Sequence, residues 1–124
     1  MNNSSLDQLV KELSKFRFVS AVFLFGSQAT GKSRKDSDFD IAVITKNATR
    51  NQELAVSGYN NQYFDVSILE RLPLIIQFRV IKEGKLLYCK DEKFLNEVKL
   101  KILRNYLDFV PFINNFYKKV IKNV

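Results

Sequence analysis

Gly26-Ser27-Gln28-Ala29-Thr30-Gly31-Lys32-Ser33-Arg34-Lys35-Asp36-Ser37-Asp38-Phe39-Asp40 runs from the end of one apolar segment, Ala21-Val22-Phe23-Leu24-Phe25, into the start of another, Phe39 to Ile44. The stretch fits two patterns that bind phosphates. In the first, Gly26 to Ser33 matches G-x-x-x-x-G-K-[ST], a glycine loop that must follow a strand and open a long helix whose N-terminus faces the phosphates. The strand is present. The helix has no room, because only Arg34-Lys35-Asp36-Ser37-Asp38 separates Ser33 from the next β-branched run. The metal-holding Asp of such sites also ends an apolar strand, whereas Asp38 and Asp40 open theirs. The first pattern therefore fails on its context.

The second pattern is Gly26-Ser27, ten residues (28 to 37), then Asp38-Phe39-Asp40. A glycine at the end of a strand allows a sharp turn and a close approach of backbone to ligand. Ser27 offers a hydroxyl and an amide to a phosphate. Asp38 and Asp40 are two apart on a strand, so both carboxylates project from one face. Side by side they repel unless a cation lies between them, and hard oxygen donors of this kind suit Mg²⁺ carrying a substrate phosphate. Asp65 adds a third carboxylate within Gln62 to Leu69, which alternates like a further strand. Three carboxylates on adjacent strands can hold two metals about 3.5 to 4 Å apart, the arrangement used for in-line displacement at phosphorus.

These residues resemble the signature of the nucleotidyltransferases of the polymerase β superfamily: glycine-serine, a ten-residue spacer, Asp-x-Asp and a later third Asp. The resemblance covers residues 20 to about 90, and the short chain looks like the minimal MNT branch, the antitoxin partners of HEPN toxins. It implies an α/β (α+β) fold, a short mixed sheet flanked by helices with a long C-terminal helix. It also implies ATP as substrate, two Mg²⁺ ions held by Asp38, Asp40 and Asp65, and phosphates bound at Gly26 and Ser27. Lys32 and Arg34, together with Lys35, cluster in the spacer, where they either neutralise a triphosphate or form a solvated loop.

The whole chain sets further bounds. Its 124 residues suit one domain, with a nucleotidyltransferase core over 1–90 and a helical tail over 91–124 in the same domain. The lone cysteine, Cys89, excludes an internal disulfide framework, and the N-terminus lacks a basic segment followed by an apolar core, so a cytoplasmic home is expected. No apolar run approaches the roughly 20 residues that span a bilayer. The absence of histidine removes the commonest general base and zinc ligand, leaving carboxylates, hydroxyls, Lys and Arg. A net charge of +7 favours acidic partners: nucleotide, nucleic acid or acidic protein.

In chain order, Ser5-Leu6-Asp7-Gln8 reads as a capping box opening a helix with apolar Leu6, Leu9, Val10, Leu13 and Phe16. Strands follow at about 20–25 and from Phe39, with a helical turn after Gly26 and a short helix around 52–56. Pro73 and Gly84 bracket a helix whose buried face should be Leu74, Ile75, Phe78 and Ile81, with Arg79 and Lys82 on a solvated face or near the nucleotide. Lys85 to Cys89 reads as a last strand. From Asp91, a residue type suited to an N-cap, a helix runs to the end, with a bend expected at Pro111. Its apolar arc is wider than the ~100° that packing on one side needs, so part of it is expected to meet another chain.

Only about 55 residues follow Asp65, mostly helical tail, so the acceptor should bring its own binding surface. The MNT resemblance implies transfer of AMP to a tyrosine of a HEPN ribonuclease toxin, with no nucleic acid as direct substrate and no membrane. A chain without histidine cannot carry the arginine–histidine motif of such toxins, which makes it the antitoxin half. Two alternatives stay open: a small-molecule nucleotidyltransferase completed as a homodimer through the tail, and an antitoxin that acts by binding alone.

Overall fold

The structure is a computed structural model that describes residues 3–26 and 39–122. Helix α1 (Asn3–Ser14) leads into strand β1 (Val19–Phe25), and β2 (Phe39–Thr45) follows. Helix α2 (Arg50–Ser57), strand β3 (Phe64–Ile68) and a single 3-10 turn at Leu69–Arg71 come next. Helix α3 (Leu74–Glu83), strand β4 (Lys85–Cys89) and the long α4 (Glu92–Lys122) complete it. The strands lie in the order β3-β2-β1-β4, with β1 antiparallel to β2 and β4, and β2 parallel to β3. This is the mixed sheet with flanking helices that the sequence led us to expect.

Position in the sheet explains the composition of each strand. β1 and β2 are central and covered on both faces, so both alternations along them are apolar. On one face Val22, Leu24, Ile41 and Val43 pack beneath Leu6, Leu9 and Leu13 of α1 and Val56 of α2. On the other, Ala21, Phe23, Ala42 and Ile44 pack with Leu69, Val80 of α3, and Leu95 and Ile102 of α4. β3 is an edge strand and alternates: Phe64, Val66 and Ile68 are buried, while Asp65 between them is exposed. Its free edge is closed by two side chains. Asn61 Oδ1 accepts from the amides of Tyr63 and Phe64, and Asn60 Oδ1 accepts from that of Val66, which leaves little ladder for another chain to pair with.

Several local expectations change. α1 begins at Asn3, so Ser5 lies inside the helix, and the Gln8 side-chain amide donates along it to Glu12 at 3.5 Å. The capping box that does form is Thr49 with Gln52: Thr49 Oγ1 accepts from the Gln52 amide at 3.2 Å, and Gln52 Oε1 from the Thr49 amide at 2.9 Å. On α3 the fully buried residue is Val80, while Ile75 is 45% exposed, because the helix meets the sheet one position round from where its apolar spacing alone would put it. Gly84 ends α3 with an ordinary φ of −69°. Its lack of a side chain serves a close approach instead, since a Cβ there would overlap the Val80 carbonyl oxygen.

Polar contacts tie the connections down. Glu53, buried on α2, accepts from Arg71 Nε at 3.1 Å and Nη2 at 3.3 Å, joining α2 to the 3-10 turn. Glu70 accepts from the Thr45 amide at 3.1 Å and the Thr45 hydroxyl at 3.2 Å, closing the end of β2. α4 opens with Asp91 accepting from the Phe94 amide at 3.1 Å, the expected N-cap, and continues through Pro111. Among the described residues no helix is long and apolar enough to cross a membrane.

Two stability measurements follow. Leu69→Ala removes a fully buried side chain and should cost about 2 to 5 kcal/mol in denaturant unfolding. Desolvation raises the Glu70 carboxyl above its ordinary 4.5, against the pull of the Thr45 hydrogen bonds. A raised folded-state pKa means that this contribution to stability is fully present below the unfolded value and is lost as pH rises through the folded one. Glu70→Gln should therefore flatten that part of the stability–pH profile, read by thermal unfolding across the acid range.

Candidate active site

Three residues line up across three neighbouring strands at one end of the sheet. Gly26 follows the last residue of β1, Asp40 lies in β2 paired with Phe25, and Asp65 lies in β3 directly opposite Asp40. Paired residues of adjacent strands are about 4.8 Å apart and project from the same face. The two carboxylates are therefore neighbours, on the side of the sheet opposite Phe39, Ile41 and Val43, which face the α1 core. Asp40 is half-buried and Asp65 exposed, so the pair sits where the apolar layer under α3 and α4 gives way to solvent.

Gly26 is fitted to this row in two ways. Its φ is +77°, in the left-handed region that favours glycine. A Cβ at this position would also overlap Asp40 Oδ2 and stand 3.3 Å from Asp40 Cγ. The turn that leaves β1 thus passes directly against the Asp40 carboxylate. A phosphate bound at the turn would lie within reach of a cation held by Asp40 and Asp65.

The sequence also singled out Ser27, Lys32, Arg34 and Asp38, and these lie outside the described residues. Among the described residues no cluster of three potential metal ligands occurs. The donor set still fits a hard divalent cation: two carboxylates in register, one of them open to solvent, with only oxygen ligands on the face. Arg79 is exposed, and the Lys82 ammonium stands 5.9 Å over the Phe78 ring, on the α3–α4 side of the molecule. Tyr63 was legible only as part of the β3 segment. It lies two residues before Asp65 and its carbonyl accepts from the Phe39 amide at 2.9 Å, extending the β2–β3 ladder one step past the carboxylates.

Residues 7–93, which carry this glycine turn and the paired carboxylates, match the family model described as polymerase beta, nucleotidyltransferase. The chain belongs to that family. A protein of Methanocaldococcus jannaschii assigned as a protein adenylyltransferase is 35% identical over 79 residues, covering 64% of this chain and 62% of that protein. Among solved structures, a chain of a toxin-antitoxin complex with AMP-PNP superposes with a TM-score of 0.71 at 18% identity, over 98% of this chain and 99% of that one. A chain from the complex of the tri-AMPylated Shewanella oneidensis HEPN toxin with MNT antitoxin gives a TM-score of 0.66 at 16% identity, covering 95% and 94%. At these identities the structural likeness speaks for the fold.

The geometry makes Gly26 and Asp40 separable in experiment. Gly26→Ala should keep the fold by circular dichroism yet lower nucleotidyl transfer about a hundredfold, the scale of a misplacement of roughly an ångström at a reacting centre. A Mg²⁺-dependent rise in thermal midpoint with a triphosphate is expected of the wild-type protein and should be abolished in Asp40→Asn.

Proposed function

We propose that this chain is the antitoxin half of a toxin–antitoxin pair, transferring AMP from ATP to a tyrosine hydroxyl of a cognate HEPN ribonuclease toxin and so silencing it. The observation that carries the reading is the row of Gly26, Asp40 and Asp65 on one face. The adenylyltransferase relative and the AMPylated toxin in a complex of the same fold support the choice of AMP and of a protein acceptor.

In this reading Gly26 and Ser27 bind the β- and γ-phosphates, with Lys32 and Arg34 offsetting their charge. Asp38, Asp40 and Asp65 are the residues that would hold Mg²⁺, two ions in the family scheme. Bound there, the metal supplies charge neutralisation for the phosphates. Asp65, the exposed carboxylate, accepts the proton of the tyrosine hydroxyl. The hydroxyl oxygen then bonds to the α-phosphorus, the bond from that phosphorus to the β-phosphate oxygen breaks, and pyrophosphate leaves with the electron pair.

The tail supplies the surface for a protein acceptor. α4 has 31 residues, about 46 Å of helix, against about 23 Å for a seven-residue strand. Its first half is anchored: Leu95 and Ile102 are buried, and Tyr106 stacks on Phe78 with ring centroids 3.8 Å apart. Beyond Tyr106 the helix outruns the sheet, and Leu107, Phe112, Phe116, Tyr117 and Ile121 are each more than half exposed. These exposed apolar side chains, spread around the second half of the helix, are the surface on which this reading places a protein acceptor.

The test is incubation of the purified chain with Mg²⁺, α-labelled ATP and its HEPN partner. Label on the partner, lost with Asp38→Ala and only weakened with Lys32→Ala, is the expected result. A stable complex without label would move the assignment to an antitoxin that acts by binding alone. Phe116→Asp combined with Tyr117→Asp should raise the Kd for the toxin by about tenfold or more, measured by calorimetry.

A further inference from the structure

The end of the sheet remote from the carboxylate row carries a cavity of about 500 Å³, enclosed by the 3-10 turn, α3 and the anchored half of α4. Thr45 on its wall and Asp40 lie toward opposite ends of β2, about 16 Å apart at the rise of a strand. The floor is apolar, with Leu69 fully buried, Ile102 5% exposed and Val98 half-buried. A volume of this size is that of a small-molecule site, roughly 300 to 1,000 Å³. Its walls belong to the packed part of the domain and not to the stretch of α4 that outruns the sheet.

The polar groups at this cavity are mostly acceptors. Glu70 takes two hydrogen bonds from Thr45, from the amide at 3.1 Å and the hydroxyl at 3.2 Å. Both donors are neutral, and a carboxylate has about four acceptor sites, so its charge is not offset and sites remain. Glu97, exposed on α4, lines the same space. Neither Glu70 nor Glu97 has an ion pair among the described residues. Gln77 donates its side-chain amide to the carbonyls of Leu72 at 2.9 Å and Glu70 at 3.4 Å, which leaves its oxygen to accept. Lys101 also lines the cavity and offsets one of the two carboxylates at most, while Lys46 places its ammonium 5.0 Å over the Phe94 ring. The raised pKa that desolvation gives Glu70 is the mark of a carboxylate kept without a cation.

We propose that this cavity binds a small organic cation, an ammonium or guanidinium group on an apolar stem, with the head held by Glu70 and Glu97 and the stem on Leu69, Val98 and Ile102. The apolar floor suits the stem and does not suit a bare metal ion, which needs oxygen ligands on most sides. The site lies apart from the transfer reaction and from the groups that perform it.

The test is calorimetric titration of the full chain with phenethylamine and agmatine, and with phenethyl alcohol as the uncharged counterpart of the first. Both cations should bind with a Kd of about 1 mM or tighter, and the alcohol should not. Glu70→Gln and Glu97→Gln should each raise that Kd about tenfold, the scale of one hydrogen bond to a charged group. Lys101→Gln should lower it by removing a competing charge, and Asp40→Asn should leave it unchanged. Equal binding of the alcohol would reduce the cavity to an apolar hollow and overturn the proposal. So would no binding of either amine, or binding lost in Asp40→Asn and kept in Glu97→Gln, which would put the cations on the carboxylate row. A weaker complex of Glu97→Gln with the HEPN partner, without binding of the amines, would give the cavity to a side chain of that partner and overturn it equally.

Discussion

The parallel pairing of β2 with β3 is the constraint on which the rest of the molecule depends. It sets Asp40 directly opposite Asp65, and a slip of one residue would send one carboxylate to the apolar α1 face. The register is held from several directions. Phe64, Val66 and Ile68 must face the core with Phe39, Ile41 and Val43, and Phe39 stacks on Phe64 with centroids 5.6 Å apart. Asn60 and Asn61 clamp the outer edge of β3, and the Glu53–Arg71 pair anchors the turn that follows it. Two like charges are thus kept adjacent by apolar packing beneath them, the arrangement expected where a cation is to be bound rather than where stability alone is served.

The two faces of the sheet divide the work. One is sealed by α1 and α2 and carries much of the core. The other is only partly covered: α3 and α4 bury Ala42 and Ile44, and two residues earlier along β2 the same face emerges with Asp40 half-buried. The site lies at the margin of an apolar layer, where backbone is rigid and side chains reach solvent. That combination suits preorganised binding of a charged substrate, because the carboxylates are positioned by strands and not by a loop.

α4 follows a different logic. Its N-terminal half is part of the core, and the aromatic stack of Phe78 on Tyr106 marks where the domain ends beneath it. The remainder keeps its apolar residues without a sheet to cover them. α4 thereby joins the core and this exposed apolar segment in one continuous helix.

The sequence by itself determined the elements and their chemistry. The spacing of Gly26, Ser27, Asp38 and Asp40 selected one phosphate-binding pattern over another, and alternation around Asp65 marked a strand. Asp91 announced the start of α4. These are local signals, legible because periodicity and caps act within a few residues. Tertiary structure alone decided the order β3-β2-β1-β4, the pairing of Asp40 with Asp65, and the close approach of Gly26 to the Asp40 carboxylate, which a Cβ there would displace. It also decided that Val80 and not Ile75 is buried, that Gly84 serves a close approach rather than a left-handed turn, and that α4 outruns its support. Apart from Gly84, which meets Val80 of its own helix, each of these depends on contact between segments far apart in the chain, and a pattern along one strand or helix carries no information about which neighbour it will meet.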